Sequence, residues 1–330
     1  MTSTEADRAQ LREWELAAAE IVRAAGALLR ERFFMPLEVE FKDDKKIDPV
    51  TALDRAVQAQ VFGELARRYP EHTLLGEEDA EAARAGELTW VLDPLDGTTN
   101  FAGRLPFFGV SLALLRNGVP IVAALYVPFG PTFSDGVIHC SFGNGVKIDG
   151  VDWRLDHKDL AKIDCAALPL GRMSPFQVRG ELAKWPGNIR NFGSIVYELV
   201  MVAGGGLRFA GFFAPKLWDV AGGMLVVREA GGSAMVWRRG AWRHLDAFTS
   251  PLPTKAKPNP TLRDWVAPVL VVGPGAFDPV VNGLNPRRPP NVLLRWWWKG
   301  MRSVRRAFRR SKSATPTQAD PKAPPTPKAQ

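Results

Sequence analysis

Residues 90–101 read WVLDPLDGTTNF, a stretch that joins a predicted strand to a predicted helix start. An apolar run typical of a buried strand ends in Asp93 and Asp96, which flank a Pro-Leu pair. Gly97 and Thr98 follow at a predicted helix start, where backbone N–H groups and the helix dipole favour an anion. Hard divalent cations prefer oxygen ligands, which the two carboxylates would supply. Asp, Pro and Gly are also ordinary turn residues, so this stretch alone does not decide between a turn and a site.

Two further acidic motifs also adjoin apolar runs. Glu77 and Glu78 come just after the apolar run at 72–75, which places them at the end of a predicted strand. Asp219 starts an apolar helix predicted over 218–232, where aspartate is also a favoured N-cap. Each motif alone is compatible with a solvated acid or a helix cap. Taken together, the three motifs predict a carboxylate cage for a divalent metal beside a Gly-Thr turn, which suits phosphate ester hydrolysis.

Helical and strand patterns are mixed along the chain. Helices are predicted over 6–34 and over 51–70 from their apolar spacing and start signals. Short apolar runs typical of buried strands lie at 72–75, 89–92, 107–115 and 120–127. This mixed order predicts an α+β protein built from layered sheets with helices between them.

The cysteines and histidines indicate the cellular compartment and the kinds of metal site that the chain can form. Cys140 and Cys165 form neither a CxxC pair nor a disulfide framework, which is typical of a reducing compartment. The four histidines lack ligand spacing, so a zinc site is not expected. The N-terminus is too polar for a secretory signal, and no apolar run reaches the ~18–20 residues of a membrane span. The sequence therefore predicts a cytoplasmic protein.

The net charge of +8 is concentrated at the C-terminal end. From Arg287 onward there are 12 Lys and Arg and one acid, a net charge of +11. Residues 1–286 hold 31 Lys and Arg and 34 Asp and Glu, a net charge of −3, which disfavours nucleic acid as a partner of the body. The change in composition predicts a globular domain over 1–284 and a basic, Pro-rich tail over 285–330.

The tail contains a predicted amphipathic segment over 293–310. Eight Lys and Arg and no acid lie within 293–312. A helix there would align five apolar side chains: Leu293, Trp297, Met301, Val304 and Phe308. This pattern is typical of a helix on an anionic bilayer, where each basic residue contributes about 1 kcal/mol, and it predicts peripheral association with the inner membrane face. Docking on the body or on a second subunit, or binding of RNA, remain as alternatives.

Four motifs together resemble the inositol monophosphatase family, within the wider group of magnesium-dependent, lithium-sensitive sugar phosphatases. They are VTALD (50–54), LLGEED (74–79), WVLDPLDGTTNF (90–101) and LWDVAGGMLVVREAGG (217–232). The resemblance implies a five-layer αβαβα sandwich that hydrolyses the phosphate monoester of a small polyol or sugar, similar to inositol 1-phosphate. It makes the predicted domain over 1–284 the catalytic domain and implies a homodimer, which is common in this family.

The resemblance also implies a role for the acidic residues. A first Mg²⁺ would bind Glu77, Asp93 and the carbonyl oxygen of Leu95. A second Mg²⁺ would bind Asp93, Asp96 and Asp219, so that Asp93 bridges the two. With two or three such ions, one would activate a water for attack on phosphorus and another would stabilise the leaving oxygen.

The implied catalytic residues lie beside these ligands. Thr98 would orient the attacking water with Asp54 as its acceptor, and these two residues form the catalytic set together with Glu77. Glu78 resembles a carboxylate near the metals that does not bind them directly. Contacts to the small phosphorylated substrate are implied for four residues: Gly97, Thr98, Gly193 and Ser194.

One position departs from the family pattern. Inositol-specific members carry a glutamate six residues before the Trp-Asp pair, and this chain has Phe212 there. The missing carboxylate argues against inositol 1-phosphate as the substrate, and Arg208 or Lys216 are candidates to hold a more anionic one. Fructose-1,6-bisphosphatase and nucleotide 3′,5′-bisphosphate phosphatase activities remain alternatives. A membrane-associated binding protein that keeps the fold without turnover is an alternative from another class.

Overall fold

The computed structural model describes residues 5–35, 39–41, 49–79, 86–128, 136–153, 165–169, 174–184, 187–254, 257–274 and 277–287, with only the backbone described at 39–41 and 49–51. The α-helices are α1 (Glu5–Arg32), α2 (Ala52–Arg68), α3 (Thr98–Ala102), α4 (Gly180–Lys184), α5 (Ile195–Ala203), α6 (Leu217–Glu229) and α7 (Phe277–Gly283), with a 3₁₀ turn at Leu262–Asp264. The strands are β1 (Val39–Phe41), β2 (Pro49–Thr51), β3 (Thr73–Gly76), β4 (Leu88–Asp96), β5 (Gly109–Arg116), β6 (Val119–Val127), β7 (Gly136–Ser141), β8 (Val146–Ile148), β9 (Val151–Trp153), β10 (Cys165–Ala167), β11 (Phe176–Val178), β12 (Asn188–Arg190), β13 (Phe209–Phe212), β14 (Ser233–Arg238), β15 (Ala241–His244), β16 (Val269–Val272) and β17 (Leu284–Pro286).

The first large sheet has the strand order β3-β4-β5-β6-β7-β8-β9. Strands β3 and β4 run parallel, and the other neighbours run antiparallel. Alternate residues face opposite sides, so Trp90 and Leu92 pack with α1 and α2 while Val91 and Ala113 face the other way. Because both faces of the sheet are covered, its central strands read as continuous apolar runs in the sequence.

Helix α1 covers the outer face of this sheet. Its buried apolar side chains have the spacing of one helix face and include Leu11, Trp14, Ala18, Ile21, Val22, Ala25 and Leu29. They share one apolar cluster with α2 and with strands β4 to β7. The helices predicted over 6–34 and 51–70 are confirmed as α1 and α2.

Helices α5 and α6 lie between two sheets. The second large sheet has the strand order β12-β10-β13-β16-β14-β15. One apolar cluster joins Leu199 of α5 and Leu225 of α6 to Leu125 of the first sheet and Val271 of the second. The central helices therefore bury both of their sides.

Helices α4 and α7 cover the far face of the second sheet. Leu182 of α4 and Val280 of α7 pack in one cluster with Phe209 and Leu270 of that sheet. The layers are therefore helix, sheet, helix, sheet, helix. The predicted α+β layered sandwich is confirmed.

The chain up to Pro286 groups into one compact unit. Within the described ranges, no helix combines the length and the apolar character needed to cross a membrane. Cys140 and Cys165 are free thiols. The amphipathic segment predicted over 293–310 lies outside the described residues, so the division of the chain at residue 285 and the membrane association stay predictions.

Candidate active site

A bulge at the end of β4 brings two aspartates together. Residues three apart on a regular strand point to opposite faces of the sheet. Here the ladder shifts by one residue, because Asp93 pairs with Ser111 and Asp96 pairs with Gly109 on β5. A bulge of this kind re-aims the side chains that follow it, so both carboxylates reach the same site. Asp93 is only 1% exposed.

The turn between β4 and α3 depends on a glycine. Gly97 has a φ of 82°, and an added Cβ would lie 2.8 Å from the carbonyl oxygen of Phe107. The next residue is Thr98, whose hydroxyl oxygen lies 3.2 Å from Oδ1 of Asp54 and 3.0 Å from the carbonyl oxygen of Leu95. A hydroxyl has one hydrogen, so it donates to one of these two acceptors at a time and keeps lone pairs for another partner.

Side chains from α2 and from the loop itself hold the loop that carries Glu77 and Glu78. Oε1 of Gln58 accepts a hydrogen bond of 3.0 Å from the backbone N–H of Glu78, and its Nε2 donates one of 2.7 Å to Asp79. Asp79 also accepts a bond of 2.6 Å from the backbone N–H of Gly76. Both glutamates are half-buried at the end of β3. The predicted position of these acids at the end of a strand is confirmed.

Asp219 lies at the third position of α6 rather than at its N-cap. The capping residue is Lys216, and its backbone N–H donates a hydrogen bond of 2.8 Å to Oδ2 of Asp219. The helix dipole stabilises an acid in the first turn. The local geometry therefore holds this carboxylate at the buried start of α6.

Asp96 is bonded to the start of α5. Its Oδ2 accepts a hydrogen bond of 2.7 Å from the backbone N–H of Val196 and another from the hydroxyl of Ser194. The same hydroxyl caps the helix by accepting a bond of 3.1 Å from the backbone N–H of Tyr197. Ser194 is 2% exposed, whereas Gly193 is exposed. Both were predicted as substrate contacts and remain so, with Ser194 placed directly against the Asp96 carboxylate.

The acidic side chains raise one another's pKa. Burial raises the pKa of Asp93 well above its usual range, and the charges of Glu77, Asp96 and Asp219 raise it further. Burial raises the pKa of Asp96 to about 6, even though hydrogen bonds from the start of α5 lower it. The pKa of Asp219 is raised by burial and then by the charge of Asp96. A bound cation would relieve this repulsion, because an opposite charge favours the ionised form of each acid.

These carboxylates do not form a closed coordination shell in their present conformations. Throughout the described ranges, no three Asp, Glu, His or Cys side chains converge closely enough to hold a metal ion. The three aspartates accept local hydrogen bonds from backbone N–H groups: Asp93 from Leu95 at 3.2 Å, Asp96 from Val196 at 2.7 Å and Asp219 from Lys216 at 2.8 Å. The donor set nevertheless fits Mg²⁺ or Mn²⁺, because it consists of carboxylate and carbonyl oxygens. Side-chain rotation would be needed to assemble the shell.

Two supporting residues were not singled out from the sequence. Nδ2 of Asn100 donates hydrogen bonds to the carbonyl oxygens of Phe107 at 2.6 Å and Phe192 at 2.7 Å. The buried carboxylate of Glu198 accepts a bond of 2.8 Å from the N–H of Phe192, and burial raises its pKa to about 7. Asn100 is the second-to-last residue of the motif WVLDPLDGTTNF and could have been found there. No sequence signal separates Glu198 from an ordinary glutamate in a helix.

Known proteins are similar to this chain along most of its length. A sequence model of the inositol monophosphatase family matches residues 10–260, which include all three acidic motifs. The Nus factor SuhB of Escherichia coli K12 is 35% identical over 228 residues, 65% of this chain and 82% of that protein. Inositol monophosphatase 2 of Solanum lycopersicum is 31% identical over 239 residues, 65% of this chain and 84% of that protein. The crystal structure of the extragenic suppressor protein suhB from Bartonella henselae matches with a TM-score of 0.57 at 28% identity, covering 67% of this chain and 86% of that one.

Proposed function

Because the chain belongs to the inositol monophosphatase family, we propose that it is a divalent-cation-dependent phosphomonoesterase that acts on a small phosphorylated polyol or sugar. The observation that carries this proposal is the concentration of negative charge at Asp93. That carboxyl is buried, and the charges of Glu77, Asp96 and Asp219 all act on it. Buried carboxylates that repel one another are costly in a fold unless a cation or a proton neutralises them. A binding site for hard cations would explain why the fold keeps these carboxylates buried and close together.

The residues that would hold the cations are the carboxylates of Glu77, Asp93, Asp96 and Asp219 and the carbonyl oxygen of Leu95. We propose Mg²⁺ as the natural cation, with two or three ions per site. When bound, such ions neutralise the phosphate and lower the pKa of a bound water. Once the shell is assembled around such ions, the carboxylates would fix where the positive charge lies before the substrate arrives, which is the pre-organisation that lowers a reaction barrier.

Thr98 and Asp54 would orient and deprotonate the attacking water. The Thr98 hydroxyl lies within hydrogen-bond reach of Oδ1 of Asp54, which is 2% exposed. When the hydroxyl donates to that carboxylate, its oxygen is free to accept a hydrogen bond from a water. A proton leaving the water would then pass through the Thr98 hydroxyl toward Asp54. The pair therefore serves as a general base and a guide for the direction of attack.

The substrate side of the site lacks the carboxylate of inositol-specific relatives. Phe212 is 6% exposed at the end of β13, and Phe213 beside it is exposed. Lys216, also exposed, caps α6 three residues before Asp219. We propose that this combination favours a substrate with a second anionic group over a neutral polyol.

Release of inorganic phosphate from a panel of substrates tests the proposal. The panel contains inositol 1-phosphate, glycerol 2-phosphate, fructose 1,6-bisphosphate, adenosine 3′,5′-bisphosphate and histidinol phosphate. Each is assayed with Mg²⁺, with EDTA and with added Li⁺. We expect release that requires Mg²⁺ and is inhibited by Li⁺, with a bisphosphate preferred. Absence of release from every substrate by protein that binds Mg²⁺ would contradict the proposed activity.

A non-catalytic binding role is the second candidate. It is favoured by the similarity to proteins named Nus factor SuhB, whose name describes a factor rather than a phosphatase. A chain carrying Asp93→Asn separates the two roles, because this change removes a proposed metal ligand while preserving the shape of the side chain. If that chain replaces the wild type in cells without loss of function, the binding role is supported. Loss of function in the presence of normal protein levels supports the phosphatase.

The basic tail is proposed to associate with an anionic membrane surface. The basis is the density of Lys and Arg within 293–312 beside an apolar stripe. Sedimentation with vesicles of anionic phospholipid tests this for the full chain and for one with Arg305, Arg306, Arg309 and Arg310 changed to Gln. Equal sedimentation of the two chains would contradict it.

A further inference from the structure

Arg263 connects two of the three acidic motifs through a single guanidinium group. It lies in the 3₁₀ turn Leu262–Asp264, three residues beyond the segment matched by the family. One of its terminal nitrogens donates to the carbonyl oxygen of Gly76. The other donates to the carbonyl oxygen of Glu77 at 2.6 Å. The two hydrogen bonds hold the backbone of the residue that carries a proposed metal ligand.

The same guanidinium lies over the aromatic ring of Trp218. Its central carbon is 5.0 Å from the ring centroid, within the range of a cation–π interaction. Trp218 is 7% exposed and directly precedes Asp219. Arg263 therefore contacts two segments that carry proposed ligands. At the end of β3 it binds the backbone of Glu77 itself, and at the start of α6 it contacts Trp218, the neighbour of Asp219.

The backbone of Arg263 is itself fixed on both sides. Two preceding residues, Lys257 and Thr261, are bound by the next side chain, Asp264, which forms an ion pair with Lys257 and accepts a hydrogen bond of 2.9 Å from the N–H of Thr261. After it, the Trp265 ring packs edge-on against Phe248 with centroids 4.8 Å apart. The following residue, Val266, bridges to Lys216 at the start of α6. The guanidinium is thus presented from an anchored turn.

We propose that Arg263 is a positioning residue that sets the distance between Glu77 and Asp219 and thereby the affinity of the site for divalent cations. The inference rests on the proposed function, because it assigns the two carboxylates to one metal site. A planar guanidinium is suited to the task, since it donates two hydrogen bonds in fixed directions while its face stacks on an indole. A lysine supplies the charge without this geometry.

Cation binding and backbone protection together test this proposal on the full chain. Mn²⁺ binding is measured by electron paramagnetic resonance for the wild type, Arg263→Lys and Arg263→Ala, with Arg243→Ala as an exposed control. Hydrogen exchange at residues 74–79 and the thermal midpoint are measured on the metal-free proteins. We expect the dissociation constant for Mn²⁺ to rise about 10- to 100-fold in both Arg263 variants, the range found for residues that orient metal ligands. Exchange at 74–79 should become faster, with the control unchanged.

The outcomes separate the two proposals. Wild-type affinity for Mn²⁺ in Arg263→Lys overturns the positioning role, since the charge alone would then suffice. A loss of affinity that occurs only with loss of the folded state in the metal-free variants also overturns it. A wild-type protein that binds no Mn²⁺ contradicts the proposed metal function instead. In that case, unchanged hydrogen exchange at 74–79 in the Arg263 variants overturns the positioning role as well, and faster exchange supports the hold of Arg263 on this backbone.

Discussion

The hydroxyl oxygen of Thr98 lies 3.2 Å from Oδ1 of Asp54, although the two residues are 44 positions apart in the chain. Asp54 belongs to the first turn of α2, and Thr98 begins α3 immediately after the bulged end of β4. The contact therefore joins a helix of the outer layer to the turn that carries Asp96 and Gly97. It brings the hydroxyl within hydrogen-bond reach of the carboxylate, which the proposed water-orienting role of the pair needs.

Changing Thr98 to Val should abolish most of the hydrolysis without weakening cation binding. Valine has a similar shape but no hydroxyl, so nothing would pass the proton from water to Asp54. The rate should fall by about 100-fold or more, the usual range for loss of general base catalysis. Thr98→Ser should retain most of the rate. The exposed neighbour supplies the control, because Thr99→Val should behave as the wild type. A hydroxyl-free variant with normal turnover would exclude the proposed pair.

Changing Asp93 to Asn should abolish Mg²⁺-dependent hydrolysis and stabilise the metal-free protein. The folded-state pKa of Asp93 is raised, so its ionisation opposes folding increasingly as the pH rises toward that pKa. The amide removes this cost and can still accept the hydrogen bond from the N–H of Leu95. In EDTA, the thermal midpoint should rise by roughly 2–4 °C per kcal/mol gained.

Two comparisons complete the Asp93 experiment. Asp152→Asn, at an exposed position on β9, should change neither the hydrolysis nor the midpoint. Adding Mg²⁺ should raise the midpoint of the wild type but not that of Asp93→Asn, since a bound ligand stabilises only a state that binds it. An equal rise in both proteins would show that Asp93 is not a ligand.

The strand ends that carry the acids could be predicted, because apolar runs and acidic motifs are local features. Long apolar strands such as β5 and β6 were also recognisable, since burial on both faces leaves an uninterrupted run. Strands of three residues, such as Cys165–Ala167, were not, because they are too short to display a period. These depend on tertiary neighbours rather than on their own sequence.

The sequence predicted which residues form the candidate site better than it predicted how they are arranged. Pro94 in DPLDG indicates an irregular ladder, because proline cannot donate a ladder hydrogen bond, but the size of the shift between Asp93 and Asp96 is set by the pairing with β5. Asp219 is the third residue of α6 rather than its cap, because Lys216 is the last extended residue before the helix begins at Leu217. Arg263 could not be connected to Glu77 because 186 positions separate them.

Replacing Gly97 with Ala should impair both folding and hydrolysis. An alanine at a positive φ costs about 1–2 kcal/mol, and here its Cβ would also lie 2.8 Å from the carbonyl oxygen of Phe107. The turn would have to shift, and Thr98 would shift with it.

Gly143 is a matched control, because its φ of 78° is similar and an added Cβ meets open space. Gly143→Ala should cost only the backbone strain in urea unfolding and leave hydrolysis unchanged. Equal losses at both positions would contradict the importance of the close contact.

A buried ionic cluster outside the three acidic motifs should govern stability in acid. Glu15 of α1 is 1% exposed and accepts hydrogen bonds of 2.8 Å from Nδ1 of His139 and 2.5 Å from the hydroxyl of Ser141. The N–H of Gly150 donates to Nε2 of that histidine, so Nδ1 carries the proton. Lys147 approaches the same carboxylate at 3.4 Å. The cluster joins the N-terminal helix to β7 and β8.

The protonation of Glu15 sets the direction of the expected pH dependence. Burial raises the pKa of Glu15, but the hydrogen bonds from His139 and Ser141 and the charge of Lys147 outweigh it, so the pKa lies below its ordinary value of 4.5. The ionised carboxylate therefore stabilises the fold above pH 4.5, and this contribution is lost as the pH falls through the lowered pKa. Glu15→Gln should lower the free energy of unfolding at pH 7 by about 3 kcal/mol, because it leaves the buried partners of Glu15 without the negative charge of its carboxylate.

Urea unfolding from pH 7 to pH 3 measures this effect. The difference in unfolding free energy between Glu15→Gln and the wild type should shrink below pH 4.5, while Glu13→Gln on the exposed side of the same helix should follow the wild type throughout. A difference that stays constant down to pH 3 would mean that Glu15 contributes through packing and neutral hydrogen bonds rather than through its charge.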